Sequence, residues 1–457
     1  MVDTADKITL IGAGLAGSLL SIYLAKRGYR VEIFERRSDM RKEQISAGRS
    51  INLALSARGI YALEEIGLAE KILRLAIPMK GRMMHALNGE LSFHTYGKNE
   101  NEVINSISRA ELNKTLMDEA ERNSVEIHFT QPCTGMNFDT GELFLRDEIA
   151  GTDLALAVKT VIGTDGSASA LRHDMMKIGR FNLSQQHIEH GYKELIIPPG
   201  PNGEFRMDKN ALHIWPRGTY MLIALPNLDG SFTCTLFFPF HGDFSFQALD
   251  SEEKVLNFFK TQFPDAVPLM PTLVKDFFAN PTGALVTIKC DPWSVGNKAL
   301  LLGDAAHAIV PFFGQGMNCA FEDCTVLNEC IGKFENDCQR LFQEFEKLRR
   351  ENTDAIADMA LENFIEMRDK VADPKFLFRK QVEHALEERF PDRFIPRYSM
   401  VSFYLLPYSV ALSRGQIQDR ILTEICNETT LVEQIDWKKA GNLVRRWLPP
   451  FEYSIDD

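Results

Sequence analysis

Three glycines, Gly12, Gly14 and Gly17, follow directly on the apolar run Ile8-Thr9-Leu10-Ile11. The G-x-G-x-x-G spacing, set between a short buried strand and a helix, suits one chemistry well. Bare backbone amides at a helix N-terminus can receive the diphosphate of a dinucleotide. Gly12 permits the tight turn, Gly14 clears the path of the diphosphate, and Gly17 lets helix and strand pack closely. Glu35 closes the next apolar run, about 20 residues further on, where a carboxylate accepts from ribose hydroxyls. An acid there suits an ADP moiety without a 2′-phosphate.

A second constellation is Gly303-Asp304-Ala305-Ala306-His307, then Pro311, then Gly314-Gln315-Gly316-Met317-Asn318, after the run Ala299-Leu300-Leu301-Leu302. An Asp at a strand end can hold a ribityl hydroxyl. The helix that follows would point its positive end at the N1/O2 edge of a flavin, where negative charge appears on reduction. A third is Asp165-Gly166-Ser167-x-Ser169-x-x-Arg172. Taken alone it could be a polar turn capping a helix. No second G-x-G-x-x-G occurs, so a dedicated pyridine-nucleotide domain is not expected.

The elements that must position these residues can be read from periodicity. Residues 7–35 give strand, turn, helix and strand, a βαβ unit that demands a right-handed crossover and a parallel sheet. The helix from Leu15 stops at Gly28. Residues 109–123 predict a helix and Glu126 to Phe129 a strand. From about 180 to 285, short apolar runs such as Tyr220–Ala224 and Phe232–Phe238, punctuated by Pro and Gly, predict an antiparallel sheet. From 340 onward the chain is charged and helix-rich. The expected fold is α/β: a discontinuous Rossmann-like FAD-binding domain (1–82, 100–180, 285–340), an inserted antiparallel β-sheet substrate domain (83–99, 181–284), and a C-terminal helical lid (341–457).

Composition sets further bounds. The 457 residues carry a formal net charge of -12, which argues against nucleic acid or anionic lipid as partner. The 8 cysteines include no C-x-x-C, and fit a reducing cytoplasm. Cys319, Cys324, Cys330 and Cys338 read as small residues along a helix, and His187 with His190 as structural, so no metal is expected. No run of about 18 apolar residues is present.

The three motifs together resemble the group A, p-hydroxybenzoate-hydroxylase-like FAD monooxygenases. Within that group the chain resembles the kynurenine 3-monooxygenase family along nearly its whole length. The segments that carry this are Gly48–Ser56, Ile77–His85, Pro311–Asn318, Glu362–Arg368 and Phe394–Tyr398. The resemblance implies substrate contacts at Arg82, Tyr96, Asn363 and Tyr398, and a pocket loop at Phe312, Phe313 and Gln315. It implies FAD contacts at Gly12, Gly14, Leu15, Ala16, Gly17, Glu35, Arg36, Arg37, Ala54, Arg109, Thr164, Asp165, Asp304, Gly316, Met317 and Asn318. It also implies NADPH as a transient co-substrate, a flavin C4a-hydroperoxide as oxidant, and a place in the kynurenine pathway. The end of the chain departs from eukaryotic members with a hydrophobic anchor, and a soluble bacterial-type form is the expectation.

Residue chemistry agrees with this. A zwitterionic amino acid needs a planar bidentate donor for its carboxylate, which Arg82 can supply. Asn363 lies on an apolar stripe with Ile356, Met359, Met367 and Val371, where a polar group needs a partner. No acid or base is required, since an aromatic amine donates electrons without losing a proton. Two alternatives stay open on the sequence: a group A hydroxylase or epoxidase for another aromatic substrate, and a flavin-fold binding protein without redox activity.

Overall fold

The computed structural model describes residues 7–42, 52–334, 337–369, 374–427 and 429–451. Gly48–Ile51 and Val371 lie outside these residues, as do the side chains of Met367 and Arg368 and the tail from 452.

The first sheet has the order Ser294–Val295, Ala299–Leu301, Val161–Gly163, Lys7–Ile11, Arg30–Phe34, Glu126–His128. All pairings are parallel except the first. Parallel strands are covered on both faces and so read as continuous apolar runs. Leu10, Ile33, Ile162 and Leu300 are accordingly buried. Strand Lys7–Ile11 is internal to the sheet. Helix Leu15–Lys26 crosses over it, buries Leu19, Leu20, Ile22 and Leu24, and ends before Gly28 at φ +90°.

The second sheet has seven strands: Thr282–Asp291, Asn182–Ile197, Phe232–Pro239, Met221–Pro226, Ala211–Pro216, Gly81–His85 and Leu91–Thr95. It is antiparallel except where Ala211–Ile214 runs parallel to Gly81–Met84. Two of the expected domain boundaries fall inside its strands, 82/83 within Gly81–His85 and 284/285 within Thr282–Asp291. Hydrogen-bonded strands cannot be divided between units, so this sheet takes in both strands whole.

The 180–285 stretch is not sheet alone. Helices Glu252–Gln262 and Leu273–Ala279 pack Val255, Phe258, Phe259 and Phe277 on one sheet face. Ser251 caps the first by accepting from Lys254 N. The opposite face, with Met84, Ile214, Met221 and Phe237, meets the C-terminal helices. Cys338–Asp369, Arg397–Ser402 and Tyr408–Cys426 make that contact, while Pro374–Arg389 and Trp437–Trp447 pack in a separate cluster of the helical region. No helix among the described residues is long and apolar enough to cross a membrane.

Candidate active site

The glycine loop leaves the first sheet at the C-terminal edge of an internal strand, where open α/β sheets bind ligands. Gly12 has φ +100°, and a Cβ there would stand 2.7 Å from Thr164 O. A Cβ at Gly17 would stand 2.0 Å from Gly12 O, so helix and strand touch through it. Gly14 is the opposite case, with no atom within 4 Å of where its Cβ would be. That open space lies at the N-cap of helix Leu15–Lys26, whose first amides have no intrahelical acceptor. Gly316, first residue of helix Gly316–Phe334, borders open space in the same way. Two helix N-termini thus offer bare amides, the cradle a flavin dinucleotide needs.

Glu35 Oε2 accepts from Ala13 N at 2.8 Å, and Oε1 accepts from Arg37 N at 2.9 Å. Each oxygen keeps acceptor capacity for a ribose hydroxyl. Arg36 and Arg37 are exposed beside it, and Leu15, Ala16 and Ala54 are half-buried. The Thr164 hydroxyl is shared between Ile11 O and Gly12 O, and so holds the glycine loop instead of facing a ligand. The Asn318 side chain is engaged too: Oδ1 accepts from Ser56 N, and Nδ2 donates to Ala54 O and Gly314 O. A contact from Asn318 to a cofactor falls to its backbone. Met317 is nearly buried.

Asp304 follows Gly303, which has φ +63°. Its side chain is exposed to solvent, although protein crowds around it. Burial raises its pKa, against the pull of Arg109 and His307. Asp165 Oδ2 accepts from Ala170 N, and Asp165 Oδ1 is buried without a partner. Arg172 ties the two loops together, donating to Ala305 O at 2.7 Å and to Ser167 O.

Behind Asp304, His307 Nε2 lies 2.6 Å from Asp323 Oδ2. His307, Cys319 and Asp323 offer three ligand-type atoms within 4.8 Å of one another. Arg349, however, donates to Asp323 Oδ1 at 2.7 Å and to Cys319 Sγ at 3.5 Å. A guanidinium already supplies the cation there, so the cluster is an ion-pair network.

The second half of the site is built on strand Gly81–His85. Arg82 lies 4.6 Å from the Tyr398 ring centre and 5.4 Å from that of Tyr96. Tyr96 and Tyr398 stack at 5.5 Å, and Phe313 stacks on Tyr398 at 5.4 Å. Arg82 Nε is buried with no hydrogen-bond partner. Burial works against the guanidinium's charge, but Tyr398, Tyr96 and Glu366 outweigh it and hold its pKa above the usual value.

Arg82, Phe313, Asn363 and Tyr398 line one cavity, together with Glu366 and Lys380. Asn363 is tethered, with Nδ2 donating to Phe312 O at 2.7 Å. Phe312 packs on Phe364 at 4.2 Å. Gln315, expected at the pocket loop, turns away: Nε2 donates to Ser56 Oγ and Oε1 accepts from Tyr408 Oη.

Sequence reasoning missed the charged wall. Lys380 Nζ lies 2.9 Å from Glu383 Oε2 and 3.8 Å from Glu366 Oε1. Charged residues on late helices read as solvated faces. Only the i, i+3 spacing of Lys380 and Glu383 hinted at a pair.

Comparison with known proteins fits this geometry. The profile of the FAD binding domain family matches residues 6–216 and 271–360. Fold and cradle therefore define a flavin-dependent monooxygenase. A kynurenine 3-monooxygenase of Myxococcus xanthus is 53% identical, over 98% of this chain and 96% of its own length. One of Dictyostelium discoideum is 46% identical, over 96% of this chain and 98% of its own. The chain belongs to the kynurenine 3-monooxygenase family. Among solved structures, 2-methyl-3-hydroxypyridine-5-carboxylic acid oxygenase shares the fold at TM-score 0.64 and 20% identity, covering 81% of this chain and 95% of that one. Pseudomonas aeruginosa PqsL does so at TM-score 0.62 and 18% identity, covering 79% and 96%.

Proposed function

We propose that the protein hydroxylates L-kynurenine at the ring carbon ortho to its aromatic amine, giving 3-hydroxy-L-kynurenine. One NADPH, one proton, one O2 and one kynurenine become NADP+, water and the hydroxylated amino acid. The observation that carries the substrate is Arg82, a half-buried residue whose buried Nε lacks a partner, set beside two stacked tyrosines in a cavity walled by Phe313.

FAD would lie with its diphosphate at Gly14, its adenosine ribose at Glu35, its ribityl chain at Asp304 near Arg109, and its ring at the amides from Gly316. Bound there, FAD supplies the activation of O2 that side chains do not provide. Arg82 takes the substrate carboxylate as a charge-assisted pair, and Tyr96 and Tyr398 offer hydroxyls. Asn363 holds the Phe312 backbone and so steadies the aromatic wall. The C-terminal helices close water away from the ring. His307 sits behind the flavin loop, already bound to Asp323, and takes no part in proton transfer.

The test is incubation with NADPH, O2 and L-kynurenine, with the product identified by mass. A product one oxygen atom heavier, in step with NADPH consumed, is expected. NADPH consumption that leaves kynurenine unchanged overturns the reading.

A further inference from the structure

Gln315 joins the turn Pro311–Phe313 to helix Gly316–Phe334 and is 1% exposed. Both ends of its amide are taken. Nε2 donates to Ser56 Oγ at 3.2 Å, and Tyr408 Oη donates to Oε1 at 2.9 Å. Tyr408 opens the C-terminal helix Tyr408–Cys426 and is fully buried.

The Arg58 guanidinium lies 4.0 Å from the centre of the Tyr408 ring. Arg58, on helix Ala57–Glu65, is itself 1% exposed. It donates to Val401 O at 3.1 Å, to Tyr404 O at 2.6 Å and to Leu406 O, and pairs with Glu322 at 3.2 Å. These carbonyls, one in the last turn of helix Arg397–Ser402 and two in the irregular turn after it, would otherwise need other donors. The same helix carries Tyr398. One arginine and one tyrosine thus brace the C-terminal layer against the loop that bears Phe313 on one side and the open amides of Gly316 on the other. The loop has little slack: Gly314 sits at φ +68°, and a Cβ there would press Ala54 Cβ at 3.0 Å.

We propose that Tyr408 and Arg58 are positioning residues for the hydroxylation, fixing the 311–318 loop so that the substrate wall and the flavin-facing amides hold one geometry. Neither touches the Arg82 cavity, and both act through Gln315 and the 401–406 backbone. The proposal rests on the hydroxylase reading above. Removing the Tyr408 hydroxyl leaves Gln315 Oε1 buried without a donor, a loss felt in the loop before it is felt in the global fold.

The test uses Tyr408→Phe in the FAD-loaded protein. Tyr220→Phe, buried on the far face of the seven-stranded sheet, is the control. Amide hydrogen exchange across 312–319 should rise about tenfold in Tyr408→Phe. At saturating kynurenine, the H2O2 released per NADPH should rise severalfold, and the control should change neither. Ser56→Ala cuts the other end of Gln315 and should loosen the same amides, which keeps the test open if Tyr408→Phe does not fold. Unchanged exchange overturns the proposal. Raised exchange with wild-type coupling also overturns it, since the brace would then be structural only. If the wild type hydroxylates no kynurenine, the proposed function fails, while the exchange result still decides whether Tyr408 holds the loop.

Discussion

At the scale of single residues, the site sets a half-buried cation among neutral hydroxyls and an anion. Arg82→Ala is expected to leave FAD content unchanged and to raise the kynurenine KM at least about 30-fold, since a dry charge-assisted contact is worth about 2–5 kcal/mol. A titration showing wild-type kynurenine affinity would remove Arg82 from the site. Tyr398→Phe keeps the ring stacked between Tyr96 and Phe313 and deletes only the hydroxyl. It should melt like the wild type, with a raised KM and more H2O2 per NADPH; unchanged values of both would show that Tyr398 does not contact substrate. His307 yields a pH prediction. Burial lowers its pKa, but Asp323 and Cys319 outweigh burial and lift it from 6.5 to about 10. The stability held in that proton is fully present below pH 6.5 and is lost as pH rises toward about 10. The Asp323 share runs the other way, present above pH 3.8 and lost as pH falls through about 2. Wild-type unfolding free energy should therefore fall across the alkaline window, and His307→Asn should flatten that slope. Parallel profiles for the two proteins would show that His307 holds no such proton. Arg82 was legible because a bidentate donor stood in a recognisable segment. Arg58, Lys380 and Glu383 were not, because only tertiary packing separates a buried charge from a solvated one.

At the scale of elements, the glycine turn makes two separable demands. Gly17 is needed by the protein itself, since a Cβ there would meet Gly12 O at 2.0 Å. Gly14 is needed only by what binds, since its Cβ would meet nothing within 4 Å. Gly17→Ala should therefore lower the melting temperature of the FAD-free protein, at a cost of about 1–3 kcal/mol, and lose FAD with it. Gly14→Ala should melt like the wild type without FAD, yet bind FAD more weakly. Equal melting losses in both variants would contradict a cradle open at Gly14. The βαβ unit was legible because turn, helix and strand are contiguous and each signal is local. Helix Glu252–Gln262 carried a capping serine and an apolar i, i+3, i+4 face, yet was masked by the strands around it. The parallel pairing of Ala211–Ile214 with Gly81–Met84 could not be read at all, because partners so distant in sequence leave no local mark.

At the scale of the whole molecule, the second sheet, the 311–318 loop and the helical layer meet around one cavity. The first sheet presents the glycine cradle, the second presents Arg82, and the helices bring Asn363 and Tyr398 from the far end of the chain. Only in the assembled fold do Arg82, Phe313, Asn363 and Tyr398 come together, which is why the motifs gave the cofactor directly while the substrate needed the resemblance. The central claim is that this assembly hydroxylates an aromatic amino acid held by its carboxylate on Arg82. The most direct test compares L-kynurenine with its decarboxylated counterpart, kynuramine, in the wild-type protein. NADPH consumption and hydroxylated product would be followed together. L-kynurenine should give close to one product per NADPH, and kynuramine should show a KM at least about 30-fold higher. Equal KM values for the two compounds, or NADPH oxidation with no hydroxylated product from L-kynurenine, would contradict it.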